Sequence, residues 1–131
     1  ATHANPRAFV DSPRMLSDDM IRRIAQRDGV VGVIPFNVML EDGWGRDDPR
    51  LPLSRVVEAM DHVCQVVGHA RAVGLGSDFD GGFGLEAVPA EIESAADLPK
   101  IGAALAEHGF DAAHVRAILG GNWLRVMRQV L

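Results

Sequence analysis

The sequence predicts a parallel α/β fold, and three observations predict it. Two uninterrupted apolar runs, VVGVIPF from Val30 to Phe36 and AVGLG from Ala72 to Gly76, lack the polar alternation of a strand with one wet face. Each follows a stretch whose apolar residues recur at three- and four-residue steps, the helical period. The order helix, strand, helix, strand then requires parallel pairing through right-handed crossovers.

Taken in order, the chain begins irregularly through Pro6 and Pro13. In LSDDMIRRIAQRDG, Ser17 is placed to cap a helix, and Asp18 and Asp19 complement its positive end. Met20, Ile21, Ile24 and Ala25 share its apolar face, and Gly29 is expected to stop it. Pro35 marks the end of the first strand. The polar stretch from Asn37 to Pro52 is longer than most connectors and is a candidate lid or binding loop. Val56, Val57, Met60, Val63, Cys64 and Val67 outline a second helix that closes at Gly68 before the strand Ala72 to Gly76. Helical patterns fill the remainder, with Asp97 and Asp111 as caps and Trp123, Leu124, Met127 and Val130 on the last one.

The chain has 131 residues and is 47% hydrophobic, enough to bury a core. Thirteen basic residues against eighteen acidic ones give a net charge of -5 with no basic stripe, which argues against nucleic acid as a partner. The single cysteine, Cys64, lies among valines and reads as a small buried apolar group. No apolar run approaches the roughly 18 residues of a membrane span. The sequence opens abruptly on Ala1, Thr2 and His3 and reads like a cut. Two strands, with the end of a third before His3, cannot close a parallel barrel and would leave apolar edges open. Residues 1–131 are therefore expected to be a partial domain whose other strands and helices lie upstream, although a partner chain could cover those edges instead.

Chemistry in such folds belongs to the loops after the strands. Asp78 and Asp80 in GLGSDFDGG directly follow an apolar strand and are flanked by glycines that permit tight turns. Carboxylates there can ligate a metal or move a proton, while a solvated turn closed by an aspartate side chain is the plainer alternative. No third acid stands at the step a calcium loop requires. A second polar cluster, THANPRAFVDSPRML, carries His3, Asn5, Arg7, Asp11 and Arg14. His3 suits a metal ligand or a structural role; Arg14 suits a bidentate carboxylate contact or a surface salt bridge. The other histidines form no ligand pair and read as structural.

Together these pieces resemble the C-terminal half of the membrane dipeptidase (renal dipeptidase) family of binuclear zinc hydrolases. The likeness runs through THANPRAF, SPRMLSDDMIRRIA, DGVVGV, MDHVCQVVG, GLGSDFDG and ILGGNWLRV, nearly the whole chain. It implies that the fold is the C-terminal portion of a (β/α)₈ TIM-type barrel of the metal-dependent hydrolase kind. It implies further that His3 ligates one of two zinc ions, that Arg14 binds the free carboxylate of a dipeptide, and that Asp78 is the acid/base residue. Asp80 would support the site from behind without touching metal. The family's other ligands, an H-x-D pair, a bridging glutamate and a second histidine, have no counterparts in the chain. Threonine replaces the usual serine before His3, VIPFN stands where many members read VNF, and a histidine before MDH is absent.

The function so implied is zinc-dependent dipeptide hydrolysis by an intact metallodipeptidase, with the 131-residue chain inactive alone and the intact enzyme a homodimer. The loop Asn37 to Pro52 would help to shape a side-chain pocket. Two alternatives are a noncatalytic remnant or interaction module, and a magnesium-dependent phosphohydrolase built on Asp78 and Asp80. The latter is disfavoured because no phosphate-cradling loop or lysine accompanies them. A cytoplasmic location is expected.

Overall fold

A computed structural model describes residues 1–79 and 81–131. Helix α1 (Asp18–Gln26) leads into strand β1 (Val31–Val33), and helix α2 (Ser54–Val67) leads into strand β2 (Val73–Leu75). The strands pair in parallel, with Val31 opposite Val73, Gly32 opposite Gly74 and Val33 opposite Leu75. Helices α3 (Pro99–His108), α4 (Ala112–Arg116) and α5 (Asn122–Val130) complete a mixed α/β fold.

The two faces of this small sheet differ. Val31, Val33 and Val73 belong to a core with Val56, Val57, Met60 and Val63 of α2, all nearly inaccessible to water. Each such side chain stabilises by about 1.5–3 kcal/mol relative to exposure. Both α1 and α3 pack on α2. The opposite face presents Gly32, Gly74 and Gly76. Trp123 lies against the first two, and the Thr2 carbonyl crosses at Gly32 and Gly76, so a Cβ at any of the three would collide with its neighbour.

Helix ends follow local chemistry, with two departures. Ser17 caps α1, its hydroxyl accepting from Met20 N at 3.3 Å, and Gly68 ends α2 at φ 81°. The left-handed residue after α1, however, is Asp28 at φ 57°, not Gly29. Gly29 serves close approach instead, since a Cβ there would meet Ile24 at 2.9 Å. Asp97 does not cap α3. Its carboxylate accepts from Glu93 N and Ser94 N in a capping box one turn earlier, and α3 starts at Pro99, which has no N–H to leave unpaired. Asp111 caps α4 as expected, accepting from His114 N at 2.8 Å. Met20 is 46% exposed, so the buried stripe of α1 is narrower than its apolar pattern, and Ile21 is its fully buried residue.

Several backbone groups on the outer sides of the two strands are engaged. Along β1, Gly32 N donates to Ala1 O at 2.8 Å and Ala4 N donates to Gly32 O at 2.9 Å, on the side away from β2. Along the free side of β2, Asn122 Nδ2 donates to Ala70 O and Val73 O at 2.8 and 2.7 Å, and Trp123 Nε1 donates to Leu75 O at 2.9 Å. Arg125 continues the row, donating to Arg71 O at 3.0 Å. Side chains of α5 thus occupy strand carbonyls that another strand would otherwise take. Among the described residues no helix is long and apolar enough to cross a membrane.

Candidate functional site

The C-terminal ends of β1 and β2 and the segment 1–16 meet at one end of the sheet. Beyond Val33 the ladder is taken over by a side chain: Asn5, fully buried, donates through Nδ2 to Ile34 O at 3.1 Å and Met39 O at 2.9 Å, while its Oδ1 accepts from Ile34 N at 2.9 Å. This spares the backbone around Pro35 an unpaired amide and carbonyl. It also anchors the segment that carries His3. Arg7 stiffens the loop that follows, donating to Ser12 O at 3.1 Å and Met15 O at 3.0 Å.

His3 is half-buried, and its Nδ1 lies 2.8 Å from the Thr2 hydroxyl. Arg14 is exposed and swings back over the segment, one terminal nitrogen donating to His3 O at 2.9 Å. His3 and Arg14, eleven residues apart, are therefore neighbours. Asp78 follows the close crossing of Gly76 by the Thr2 carbonyl by two residues. It is half-buried with φ 49°, a left-handed conformation that costs a non-glycine residue free energy of order 1 kcal/mol. Gly81 N donates to the Asp78 carbonyl at 2.8 Å, and a Cβ on Gly81 would stand 2.5 Å from Asp78 Oδ2. The turn is closed by backbone, and among the described residues no hydrogen bond engages the Asp78 carboxylate. Asp80 lies outside the described residues.

With Nδ1 turned to Thr2, the Nε2 of His3 remains for a ligand, which suits zinc. One imidazole is not a centre, and among the described residues no three His, Cys, Asp or Glu side chains are grouped as a metal ion requires. The chain's donor set fits a contribution to a zinc site, not a whole one. Three of the other four histidines face carboxylates: His62 lies 2.9 Å from Asp18, His108 3.6 Å from Asp61 and His114 3.3 Å from Asp111. Cys64 is buried, and that burial, with the Asp61 charge second, pushes its thiol up to about 12, far from a reactive thiolate.

The stretch Asn37 to Pro52 is packed down. Leu40, Trp44 and Leu51 are buried, and Trp44 Nε1 donates to Pro49 O at 3.0 Å. Arg50 reaches across to donate to the carbonyls of Val88, Pro89 and Ile92. The segment thus held walls a cavity of about 250 Å³ that also touches Phe79 and Phe83. The contributions of Thr2, Arg50 and the two phenylalanines escaped the sequence reading. The signal for Asn5 was available: a polar amide between a strand end and a proline, in a run that otherwise becomes buried.

A family described as membrane dipeptidase (Peptidase family M19) matches residues 1–131. An uncharacterised protein of the pqqA 5' region of Klebsiella pneumoniae is 38% identical over 130 residues, covering 99% of this chain and 46% of its own length. An uncharacterised dipeptidase of Schizosaccharomyces pombe is 32% identical over 127 residues, covering 97% of this chain and 29% of its own length. Among solved structures, a metallopeptidase from Rhodobacter sphaeroides, bound to a phosphinate mimic of the dipeptide L-Ala-D-Ala, superposes with a TM-score of 0.86 at 30% identity, covering 100% of this chain and 36% of its own. The chain thus spans less than half the length of these relatives.

Proposed function

Because the chain belongs to the membrane dipeptidase family, peptidase family M19, we propose that it supplies the C-terminal part of a (β/α)₈ barrel and one side of a zinc-dependent dipeptidase site. The observation that carries the reading is the Arg14 to His3 hydrogen bond, which ties a would-be carboxylate fork to a would-be metal ligand beside the loop of Asp78. The dipeptide mimic held by the Rhodobacter relative supports the substrate class.

In this reading His3 offers Nε2 to one of two zinc ions, and the remaining ligands come from outside these 131 residues. Zinc, when bound, supplies Lewis acidity that polarises the peptide carbonyl and makes water nucleophilic near neutral pH. Asp78 accepts the proton of the attacking water and returns it to the leaving amine. Its left-handed backbone fixes the direction from which the carboxylate approaches. Arg14, with one N–H spent on the His3 carbonyl, keeps its other donors for the substrate's terminal carboxylate, and holding that group beside the scissile bond limits substrates to very short peptides.

The test uses a protein of family length that carries this chain. Asp78→Asn is expected to lower turnover by at least about a hundredfold with zinc content retained. Arg14→Lys is expected to raise KM more than it lowers kcat, and C-terminally amidated dipeptides should be poor substrates of the unaltered protein. Near-normal turnover by the Asp78 variant, or equal cleavage of amidated and free dipeptides, overturns the assigned roles.

A further inference from the structure

The cavity beyond Asp78 has the features of a side-chain pocket. It holds about 250 Å³ and is walled chiefly by Phe79, Phe83, Leu85, Val88 and Ile92, with Glu93 and Ser94 at its polar side. About 150 Å³ already accommodates benzene in an apolar protein cavity. The space therefore admits a leucine or phenylalanine side chain.

The walls are built, not incidental. Phe83 stacks on Phe36, the residue that ends the first apolar run, with ring centroids 4.4 Å apart and planes 19° from parallel. The Val88 carbonyl receives both Asn37 Nδ2 at 3.2 Å and Arg50 Nε at 2.9 Å, and Arg50 also holds Pro89 O and Ile92 O. Asn37 is fully buried. Two donors from the stretch after β1 thus fix the far wall, and the stretch acts on the pocket through Arg50 and Asn37 without lining it.

Position decides which end of a dipeptide the pocket serves. Phe79 is the next residue after Asp78, on the loop leaving β2, whereas Arg14 lies on the segment flanking the opposite edge of β1. In the dipeptidase reading, a dipeptide held by its carboxylate at Arg14 and cleaved beside Asp78 would direct its amino-terminal residue towards Phe79. We propose that this cavity receives the side chain of the amino-terminal residue and selects apolar over glycyl dipeptides, with Phe83 and Leu85 setting its size. The proposal rests on the dipeptidase reading given above.

Binding and turnover are measured separately on the family-length protein. In NMR titrations with Leu-Gly and Gly-Gly, the ring resonances of Phe79 and Phe83 should shift with the first and much less with the second. In kinetics, the kcat/KM ratio of Leu-Gly to Gly-Gly should exceed about tenfold and fall about tenfold or more in Phe83→Ala, since a few methylenes in an apolar pocket discriminate by that order. Leu85→Trp, at a surface position that is 48% exposed and tolerant of size, should narrow the mouth and lower the same ratio. Shifts that follow Leu-Gly without hydrolysis of either peptide would uphold the pocket and sink the dipeptidase reading. Hydrolysis with a ratio near one, or a ratio that both variants leave unchanged, overturns the pocket.

Discussion

Replacing Asn5 by alanine removes three buried hydrogen bonds at once: two donated to Ile34 O and Met39 O, and one accepted from Ile34 N. Each such bond contributes about 0.5–1.5 kcal/mol net, and its loss strands a buried backbone group at a further cost of about 1–3 kcal/mol unless water enters. The vacated side-chain volume admits a water that recovers part of this, so the expected loss is about 3 kcal/mol. A domain has only about 5–15 kcal/mol in total. With a urea m-value near 1.5 kcal/mol per M, the midpoint should fall by about 2 M at unchanged slope. Asn5→Asp sharpens the test. At pH 7 it sets a negative charge against two carbonyl oxygens and should be the worse variant, while protonation at low pH restores one donor and should narrow its deficit. Urea melts of the 131-residue chain followed by circular dichroism read both. A midpoint shift below about 0.5 M for Asn5→Ala would mean that the amide does not staple the first segment to β1, and the positioning argument for His3 would fall with it.

Asp28 titrates as part of a clasp. The Arg71 guanidinium hydrogen-bonded to it, and then Gln129, hold its carboxyl well below the usual carboxylate range. A depressed folded-state pKa adds stability in full above the unfolded value near 4, and that stability is lost as pH falls through the folded value. Asp28→Asn should therefore be less stable than the parent at pH 7, with the gap closing below about pH 4; a gap that persists or widens in acid would contradict the assignment. Cys64, buried with its thiol pushed up to about 12, should resist alkylation at pH 8 in the native chain and react only on unfolding, as mass spectrometry of iodoacetamide-treated samples would show.

Much of this architecture was legible because helical periodicity and apolar runs report on local burial. α2 and its Gly68 stop came out nearly residue by residue, since alternating faces and a left-handed terminator are both local signals. The strands proved shorter than their apolar runs, because Pro35 and the Asn5 amide replace ladder bonding after Val33, and hydrophobicity cannot distinguish paired from merely buried backbone. Asp28 took the place assigned to Gly29 because contacts from residues 71, 125 and 129 offset its strained conformation. The proximity of His3 and Arg14 needed the fold of the loop between them. Arg50 and the phenylalanine pocket were out of reach for the same reason: their partners lie about forty residues away in sequence.

The Asp28 clasp also has a temporal side. Its donors sit at separations of 43 residues for Arg71, 97 for Arg125 and 101 for Gln129, so it joins opposite ends of the chain into one closed circuit. Contacts of such reach are made only after the intervening segments have collapsed, because the entropy of closing the circuit must be met before the contact returns anything. The guanidinium pair and the α5 donors along β2 therefore depend on the same long-range closure. Without those donors the carbonyls of Val73 and Leu75 stand open along β2 to a strand from elsewhere.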